Sequence, residues 1–268
     1  MTTPAQTLVM GILNVTPDSF ADGGKHFTID NAIAHANEMV AEGVDIIDIG
    51  GESTRPGAQR ITEEEEFRRV VPVLTEVLKL GVAVSVDTTR ASLAERAISL
   101  GARFINDVSG GLADPRMARL ISQSGVKYVA MHWRAHSEQM MEHAKYEDVV
   151  ADVKNELKAR VEALQSSGVR QEQLIIDPGI GFSKQPAQNW ELLRGLDELA
   201  EIGLPILIGA SRKRFLGEEL KPEEREAASI AVTSFCAAQG VWAVRTHSVK
   251  PHKDAIAQVA KLQVALHG

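Results

Sequence analysis

Short apolar runs recur along this chain, and the stretches between them carry apolar residues at every third or fourth position. The runs are TLVMGILN, VDIIDIGG, VAVSVDTT, RFINDVSGG, KYVAMHW, QLIIDPG, PILIGASRK and WAVRTH. Near-continuous apolar runs are typical of strands buried on both faces of a parallel sheet. Strand followed by helix, eight times over, predicts an α/β protein with a single (β/α)8 TIM barrel spanning 1–268.

The intervening stretches predict the helices. They are expected over about 28–42, 62–81, 91–100, 114 onward, 146–166, 190–196, 223–239 and 253–266. Thr62 and Glu65 form a capping-box pattern, and the glutamates at 63–66 are expected to be a solvated first turn. The main rival is a doubly wound open sheet, which would normally show G-x-G-x-x-G after an early strand; the sequence has no such motif.

Composition narrows the function classes. The 268 residues carry a formal net charge of −7, which argues against general binding to nucleic acid or a membrane surface, although a local basic cluster can still hold an anion. The single cysteine, Cys236, fits a reducing compartment and is expected to be a buried apolar residue. With neither a signal peptide nor a membrane-length apolar run visible, we expect a cytoplasmic protein.

Polar side chains follow almost every apolar run. The residues are Asn14, Asp48, Asp87, Asn106, Asp107, His132, Asp177, Ser211, Arg212, Lys213, Arg245 and His247, with the apolar Met131 beside His132. Because the carboxyl ends of all strands meet at one mouth of a barrel, these side chains predict a single pocket there.

The motifs at these positions resemble those of one family. In order they are GILNVTPDSFADGG (11–24), DIGGESTRPGA (48–58), SVDTTRA (85–91), INDVSGG (105–111), AMHW (130–133), DPGIGF (177–182), GASRKRFLG (209–217) and VRTH (244–247). Together they resemble the dihydropteroate synthase family of pterin-binding enzymes over about 11–250. The resemblance implies a transferase of folate biosynthesis that condenses 6-hydroxymethyl-7,8-dihydropterin diphosphate with p-aminobenzoate. It also implies Mg²⁺, inhibition by sulfonamides and a homodimer through outer helices. The small residues Ala227, Ala228, Ala231 and Ala237 of this chain permit the close packing that such a dimer needs.

Three strand-end residues suit a pterin ring. The ring's aminopyrimidinone edge presents several N–H donors and a carbonyl, which the carboxylates of Asp87 and Asp177 and the amide of Asn106 can satisfy. A buried strand-end carboxylate needs a partner, so the alternative is a satisfied structural aspartate. The resemblance adds Lys213 against the ring, with Met131 and Phe182 as apolar surface; the alternative for those two is barrel packing.

The end of the last strand suits a diphosphate. Arg245 offers a planar fork to phosphate oxygens and His247 a further donor, and their R-x-H spacing predicts that both side chains share one face. Asn14 ends the first strand, which neighbours the last around a closed ring. These three residues are expected to converge on one edge, where Mg²⁺ would take one Asn14 oxygen beside the diphosphate.

The second substrate depends on the resemblance alone. It places Asp22, Thr54, Arg55, Pro56 and Ser211 around p-aminobenzoate, with Arg55 also reaching the diphosphate; the alternative for Arg55 is an exposed loop cation. The expected reaction is dissociative, without a protein nucleophile. Its catalytic set is Asp87, Asp177, Lys213, Arg245 and His247.

Two rivals remain at this level. A methyltransferase acting between methyltetrahydrofolate and a corrinoid protein would share the aspartates and Asn106, without needing SRKRFLG or R-x-H. A pterin-binding homologue with little synthase activity, or a non-catalytic scaffold, could keep the pterin residues alone. The chain also has Ser248 where the family often has aspartate, at a position to which no chemistry is assigned.

Overall fold

A computed structural model describes residues 6–16, 29–53, 58–136 and 139–267. Within those ranges eight strands form one parallel sheet, in the order β6-β5-β4-β3-β2-β1-β8-β7. The strands are β1 (Leu8–Asn14), β2 (Ile46–Gly50), β3 (Ala83–Asp87), β4 (Phe104–Asp107), β5 (Lys127–Met131), β6 (Leu174–Asp177), β7 (Leu207–Ile208) and β8 (Ala243–Thr246). A parallel bridge between Ile176 and Ile206 links β6 to the segment entering β7. The predicted TIM barrel is confirmed.

Helices surround the sheet. In the described part of the chain they are α1 (Ile29–Ala41), α2 (Glu63–Val77), α3 (Ala91–Leu100), α4 (Met117–Ser124), α5 (Val149–Ser166), α6 (Pro186–Arg194), α7 (Leu196–Ala200), α8 (Glu226–Ala238) and α9 (Lys250–His267). The single helix expected around 190–196 is two helices, because the chain breaks at Gly195.

The first turn of α2 differs from the sequence-based expectation. Thr62 caps the helix by accepting a hydrogen bond from the Glu65 backbone N–H at 3.2 Å, but the Glu65 carboxylate pairs with Arg68 and Arg69. The expectation of a solvated turn is wrong for Glu66, which is 1% exposed and pairs with Arg90. A pattern of four glutamates cannot show which one turns inward, because that depends on a cation from a distant segment.

Two apolar layers hold the barrel together. The larger core lies between the strands and the helices and includes Val9, Leu13 and Ile47. A second cluster is formed by alternate strand residues, among them Met10, Ile46, Val129, Ile175, Leu207 and Ala243. Because successive strand residues point to opposite faces, these positions face the barrel interior.

Cys236 is fully buried on α8, as its apolar surroundings in the sequence predict. Burial raises the pKa of its thiol to about 12, so the reactive thiolate is not formed near neutrality. In the ranges that the structure describes, every helix is too short or too polar for a membrane span.

Candidate functional site

The polar pocket follows from the two-residue repeat of the strands. On several strands, an apolar side chain that faces the barrel interior is followed two positions later by a polar one. These pairs are Ile46 and Asp48, Phe104 and Asn106, Ile175 and Asp177, and Ala243 and Arg245. On β3 the sequence of interior residues is Ala83, Ser85 and Asp87. The barrel interior is therefore apolar at the amino ends of the strands and charged at their carboxyl ends, where barrel enzymes hold their ligands.

Arg245 is the centre of a buried charged cluster. Its Nε donates to Oδ2 of Asp48 at 2.6 Å, and its Nη2 donates to Oδ2 of Asp87 at 2.9 Å. Asn106 donates its side-chain N–H to the same Asp48 oxygen at 3.0 Å. Sequence reasoning placed Arg245 with a diphosphate edge; the structure joins it directly to the predicted pterin carboxylate Asp87.

Burial controls the protonation of the two predicted pterin carboxylates. It raises the pKa of Asp87 to about 7, against the opposing effect of the Arg245 guanidinium. Burial likewise raises the pKa of Asp177, and this rise is opposed by Lys213 and by the hydrogen bond from the Gly179 N–H at 2.7 Å. Carboxylates perturbed in this way in a cleft are typical of functional sites.

Lys213 lies beside these carboxylates. Its Nζ donates to the carbonyl of Ile180 and lies 4.6 Å from the centre of the Phe182 ring. Burial lowers the pKa of its ammonium to about 8, although Asp177 and Asp87 favour the charged form. Gly181 (φ +80°) permits this approach, because a Cβ there would lie 2.8 Å from Cδ of Lys213. Met131 is buried and in register with Asp177, beside Gly179.

The remaining predicted residues lie in two places: Ser211 and His247 lie together after β7 and β8, and Asn14 lies at the end of β1. Ser211 Oγ lies 3.0 Å from Nδ1 of His247 and accepts the His247 backbone N–H at 3.2 Å. Asn14 lies at the end of β1, in register with Gly50 of β2, which is in register with Asp87. Sequence reasoning assigned Ser211 and His247 to different substrates; the structure makes them direct neighbours.

Four predicted residues, Asp22, Thr54, Arg55 and Pro56, lie outside the described residues. Thr54, Arg55 and Pro56 belong to one segment between β2 and α2. The residues on either side of that segment are held by a charged clamp, defined by Glu52, Glu66 and Arg90. Nη1 of Arg90 donates to Glu52 at 3.0 Å and to Glu66, and Glu52 also accepts the Ile61 backbone N–H at 3.0 Å. The clamp joins both flanks of the segment to α2 and α3.

A cavity opens beside that segment. It is lined by Glu52, Ser53, Ala58, Arg60, Thr89, Val108, Trp133, Ala135, His136 and Phe182. Phe182 lines this cavity and its ring lies beside Lys213, so the cavity adjoins the charged pocket. Its aromatic residues suit a second flat ligand.

Sequence reasoning gave no role to two parts of the site. Asp48 was predicted at the pocket but was assigned to no ligand, although its two-residue spacing from Ile46 indicated an interior position. The second part is the buried pair Lys184 and His132. Lys184 Nζ lies 3.1 Å from Nδ1 of His132 and donates to the Phe182 carbonyl at 3.0 Å, and Nε2 of His132 lies 2.8 Å from the more exposed Glu156. Burial lowers the pKa of Lys184 to about 7 and that of His132 to about 4. No local pattern links these residues.

The sequence and the fold both match known proteins. The sequence profile of the family described as "Pterin binding enzyme" matches residues 10–247. The chain is 48% identical to the dihydropteroate synthase of Mycobacterium leprae (strain TN), over 94% of this chain and 92% of that protein. It is also similar to the Xanthomonas albilineans dihydropteroate synthase solved with 4-aminobenzoic acid (TM-score 0.90, 41% identity, covering 96% of this chain and 93% of that one).

A further solved structure with a similar fold is a complex with a drug. The Yersinia pestis dihydropteroate synthase in a sulfonamide drug complex has a TM-score of 0.91 and 37% identity, covering 97% of this chain and 95% of that one. The barrel, the charged pocket at its carboxyl end and these matches over nearly the whole length agree with one another. The chain belongs to the pterin-binding enzyme family and, within it, to the dihydropteroate synthases.

Proposed function

We propose that this protein condenses 6-hydroxymethyl-7,8-dihydropterin diphosphate with p-aminobenzoate, giving 7,8-dihydropteroate and pyrophosphate. The observation that carries the proposal is the convergence of Asp87, Asn106, Asp177, Lys213 and Arg245 in one buried pocket at the carboxyl end of the barrel. Two carboxylates, an amide and two cations are the groups that a planar heterocycle with a donor-rich edge and an anionic substituent requires.

The pterin edge binds to Asp87, Asn106 and Asp177 in this proposal. Their acceptor oxygens take the N–H donors of the ring, and a ring without those donors would leave buried polar atoms unpaired. Lys213 reaches the ring's carbonyl or nitrogen, and Met131 and Phe182 supply apolar surface. The short distance from Lys213 to the Phe182 ring supports that placement.

The diphosphate binds on the β1–β8 side of the mouth. Arg245 on β8 pairs in register with Met10 of β1, which brings this strand beside the one that ends at Asn14. His247 follows β8 and completes this side. The contact between Arg245 and Asp87 means that the cation lies between the pterin edge and the leaving group, so one guanidinium serves both.

Mg²⁺ enters the proposal as the companion of the diphosphate. Among the described residues, no three His, Cys, Asp or Glu side chains gather into a metal cage. Mg²⁺ prefers oxygen ligands and keeps several waters, so diphosphate oxygens with the side-chain oxygen of Asn14 are a donor set that fits it. Bound there, the ion would neutralise charge on the diphosphate. Asn14 Oδ1 lies 3.7 Å from the position of a Cβ built on Gly50, and Asp87 flanks the same glycine.

The reaction needs no protein nucleophile. The bond between the exocyclic carbon and the diphosphate oxygen breaks first, with Arg245, His247 and Arg55 stabilising the departing anion. Asp87 and Asp177 favour the pterin cation, whose charge is delocalised over the ring. The amine of p-aminobenzoate then forms the carbon–nitrogen bond and loses its proton to water or diphosphate. Holding the amine near that carbon supplies the rest of the rate gain.

We place p-aminobenzoate in the cavity that adjoins the charged pocket at Phe182. Trp133 and Phe182 offer aromatic surface there, and the clamp formed by Glu52, Glu66 and Arg90 holds the flanks of the segment that contains Thr54, Arg55 and Pro56. Asp22 and Ser211 are the other residues predicted for this substrate, but Ser211 contacts His247 on the diphosphate side. Sulfonamides should compete with p-aminobenzoate here.

Pyrophosphate release with both substrates and Mg²⁺ tests the proposal. Release that requires p-aminobenzoate, and that Lys213→Ala lowers strongly, is the expected result. No release by the folded wild-type protein would overturn the proposal and favour the methyltransferase or the low-activity homologue. Competition between a sulfonamide and p-aminobenzoate in the same assay tests the second pocket.

We also propose a homodimer through α6 and α8. Trp190 and Phe235 are 42% and 40% exposed on a groove that Leu193, Arg194, Ala228, Ala231 and Val232 also line. Of the predicted alanines, Ala228 and Ala231 fit this surface, but Ala237 is buried in the core and cannot reach a partner. Phe235→Glu should convert a dimer to a monomer in analytical ultracentrifugation. Leu262→Glu, on the 65% exposed Leu262 of α9, is the matched control. The cytoplasmic location stays a prediction from the sequence.

A further inference from the structure

Asp48 is the most deeply buried carboxylate of the pocket and has no role in the proposed reaction. It is 0% exposed, on β2, in register with Ser85 of β3. Ser85 lies two residues before Asp87, so Asp48 lies one interior layer deeper than Asp87. A ligand held by Asp87 therefore lies above Asp48.

One oxygen of Asp48 receives both of its hydrogen bonds. Oδ2 accepts from Nε of Arg245 at 2.6 Å and from Nδ2 of Asn106 at 3.0 Å. A carboxylate can only accept, so the Asn106 amide must turn its N–H₂ toward Asp48 and its oxygen away from it. The amide oxygen is then the group that Asn106 offers to a ligand N–H.

Asp48 also holds the side chain of Arg245 in place. Its guanidinium donates Nε to Asp48 and Nη2 to Asp87, so the planar fork is fixed between two carboxylates on neighbouring strands. Without Asp48, the fork would keep one of these two contacts, and the side chain could rotate about its long stem.

We propose that Asp48 is a positioning residue that fixes the donor and acceptor orientation of Asn106 and the plane of the Arg245 guanidinium at the pterin edge. This role rests on the proposed function for its effect on substrate, but the two side-chain contacts can be measured without any substrate.

Asp48→Asn and Asp48→Ala separate charge from geometry. The asparagine oxygen can replace Oδ2 and keep both hydrogen bonds while the negative charge is lost; alanine removes both. Ser85→Ala is the matched control, because Ser85 is buried at the same level and its Oγ has no hydrogen-bond partner among the described residues. Circular dichroism and thermal unfolding test whether each variant folds.

The first measurement is binding of 6-hydroxymethylpterin by calorimetry over a range of pH. Asp48→Ala should weaken it about tenfold or more, since two hydrogen bonds to a charged group are lost. Asp48→Asn should weaken pterin binding less than Asp48→Ala does at alkaline pH. It should also move the acid limb of the binding profile to lower pH. Asp87 is faced by Arg245, Lys213, Asp48, Glu66 and Asp107; burial is the main cause of its raised pKa, and Asp48 adds to it. Ser85→Ala should change neither the affinity for the pterin nor the acid limb of its pH dependence.

The second measurement is the NMR signal of the Arg245 Nε–H group, assigned by its loss in Arg245→Lys. Asp48→Asn should shift it in the ligand-free protein, and Ser85→Ala should not. An unchanged signal and acid limb in folded Asp48→Asn would overturn the positioning role even if the wild-type enzyme releases pyrophosphate. A shifted signal in a protein that releases no pyrophosphate would support the positioning role and overturn the proposed function. If Asp48→Ala does not fold, Asp48→Asn decides alone.

Discussion

Ser211 Oγ and His247 Nδ1 lie 3.0 Å apart, joining the loop after β7 to the end of β8. Because Ser211 Oγ already accepts the His247 backbone N–H, its own proton is available for Nδ1, and the imidazole then carries its proton on Nε2. A histidine in this tautomer donates from Nε2, which suits an anionic leaving group.

Ser211→Ala should therefore act on the diphosphate substrate. Loss of a hydrogen bond that orients the imidazole costs about 1 kcal/mol, or about fivefold in kcat/KM for the dihydropterin diphosphate. Steady-state kinetics with each substrate varied in turn measure it. Ser234→Ala, which removes a hydroxyl bonded to the Ile230 carbonyl on α8, is the control. A rise confined to the KM for p-aminobenzoate would instead show that Ser211 binds that substrate directly.

The pH profile of kcat/KM should be bell-shaped. Burial raises the pKa of Asp87 to about 7, so the carboxylate that accepts the ring donors is lost as the pH falls below that value. Burial lowers the pKa of Lys213 to about 8, so its charge is lost as the pH rises above that value. Free-enzyme groups control kcat/KM, so the profile reports both.

Variants assign the two limbs. Asp87→Asn should remove the acid limb and Lys213→Met the alkaline limb, each with lower activity, in assays at saturating Mg²⁺. An alkaline limb that persists in Lys213→Met would contradict the assignment to Lys213.

Gly181→Ala should damage activity more than stability. Its φ of +80° makes alanine cost about 1–2 kcal/mol, and the new Cβ would lie 2.8 Å from Cδ of Lys213. Gly203→Ala is a matched control, since φ is +77° with nothing within 4 Å of the added Cβ. Urea unfolding should give similar losses for the two variants. Only Gly181→Ala should lower kcat/KM, by about tenfold to a hundredfold, because Lys213 is displaced. Equal kcat/KM values for Gly181→Ala and Gly203→Ala would show that the position of Lys213 is unimportant.

His132 should make the fold sensitive to acid. Burial lowers the pKa of this histidine from its ordinary 6.5 to about 4, with Lys184 acting in the same direction. The unfolded chain therefore binds a proton between these values that the folded chain does not, and stability falls as the pH falls through that window. The loss amounts to about 3 kcal/mol at 1.36 kcal/mol per pH unit.

Urea unfolding of the wild type and His132→Gln from neutral pH to about pH 4 measures this contribution. The glutamine variant cannot titrate and can still reach Glu156, so its stability should fall less over the same window. Parallel pH dependences of the two proteins would contradict the prediction.

Much of the site was predictable because strand periodicity is local. The apolar runs identified the strands, and parallel connections required the strand ends that carry Asp87, Asn106, Asp177 and Arg245 to share one mouth. Short-range patterns were less certain at helix ends, where Glu65 chose two arginines over the capping box and Gly195 divided a helix.

The sequence by itself determined the barrel and most of the polar residues at the carboxyl ends of its strands, because hydrophobic periodicity and strand order depend on neighbours along the chain. Only the tertiary structure decided which of those residues touch. Asp48 and Arg245 are 197 positions apart, Ser211 and His247 meet across two strands, and Glu66 is buried because Arg90 of another segment neutralises it. Such pairings depend on side-chain directions around a closed ring, where residues distant in the chain become neighbours, and local patterns carry no record of them.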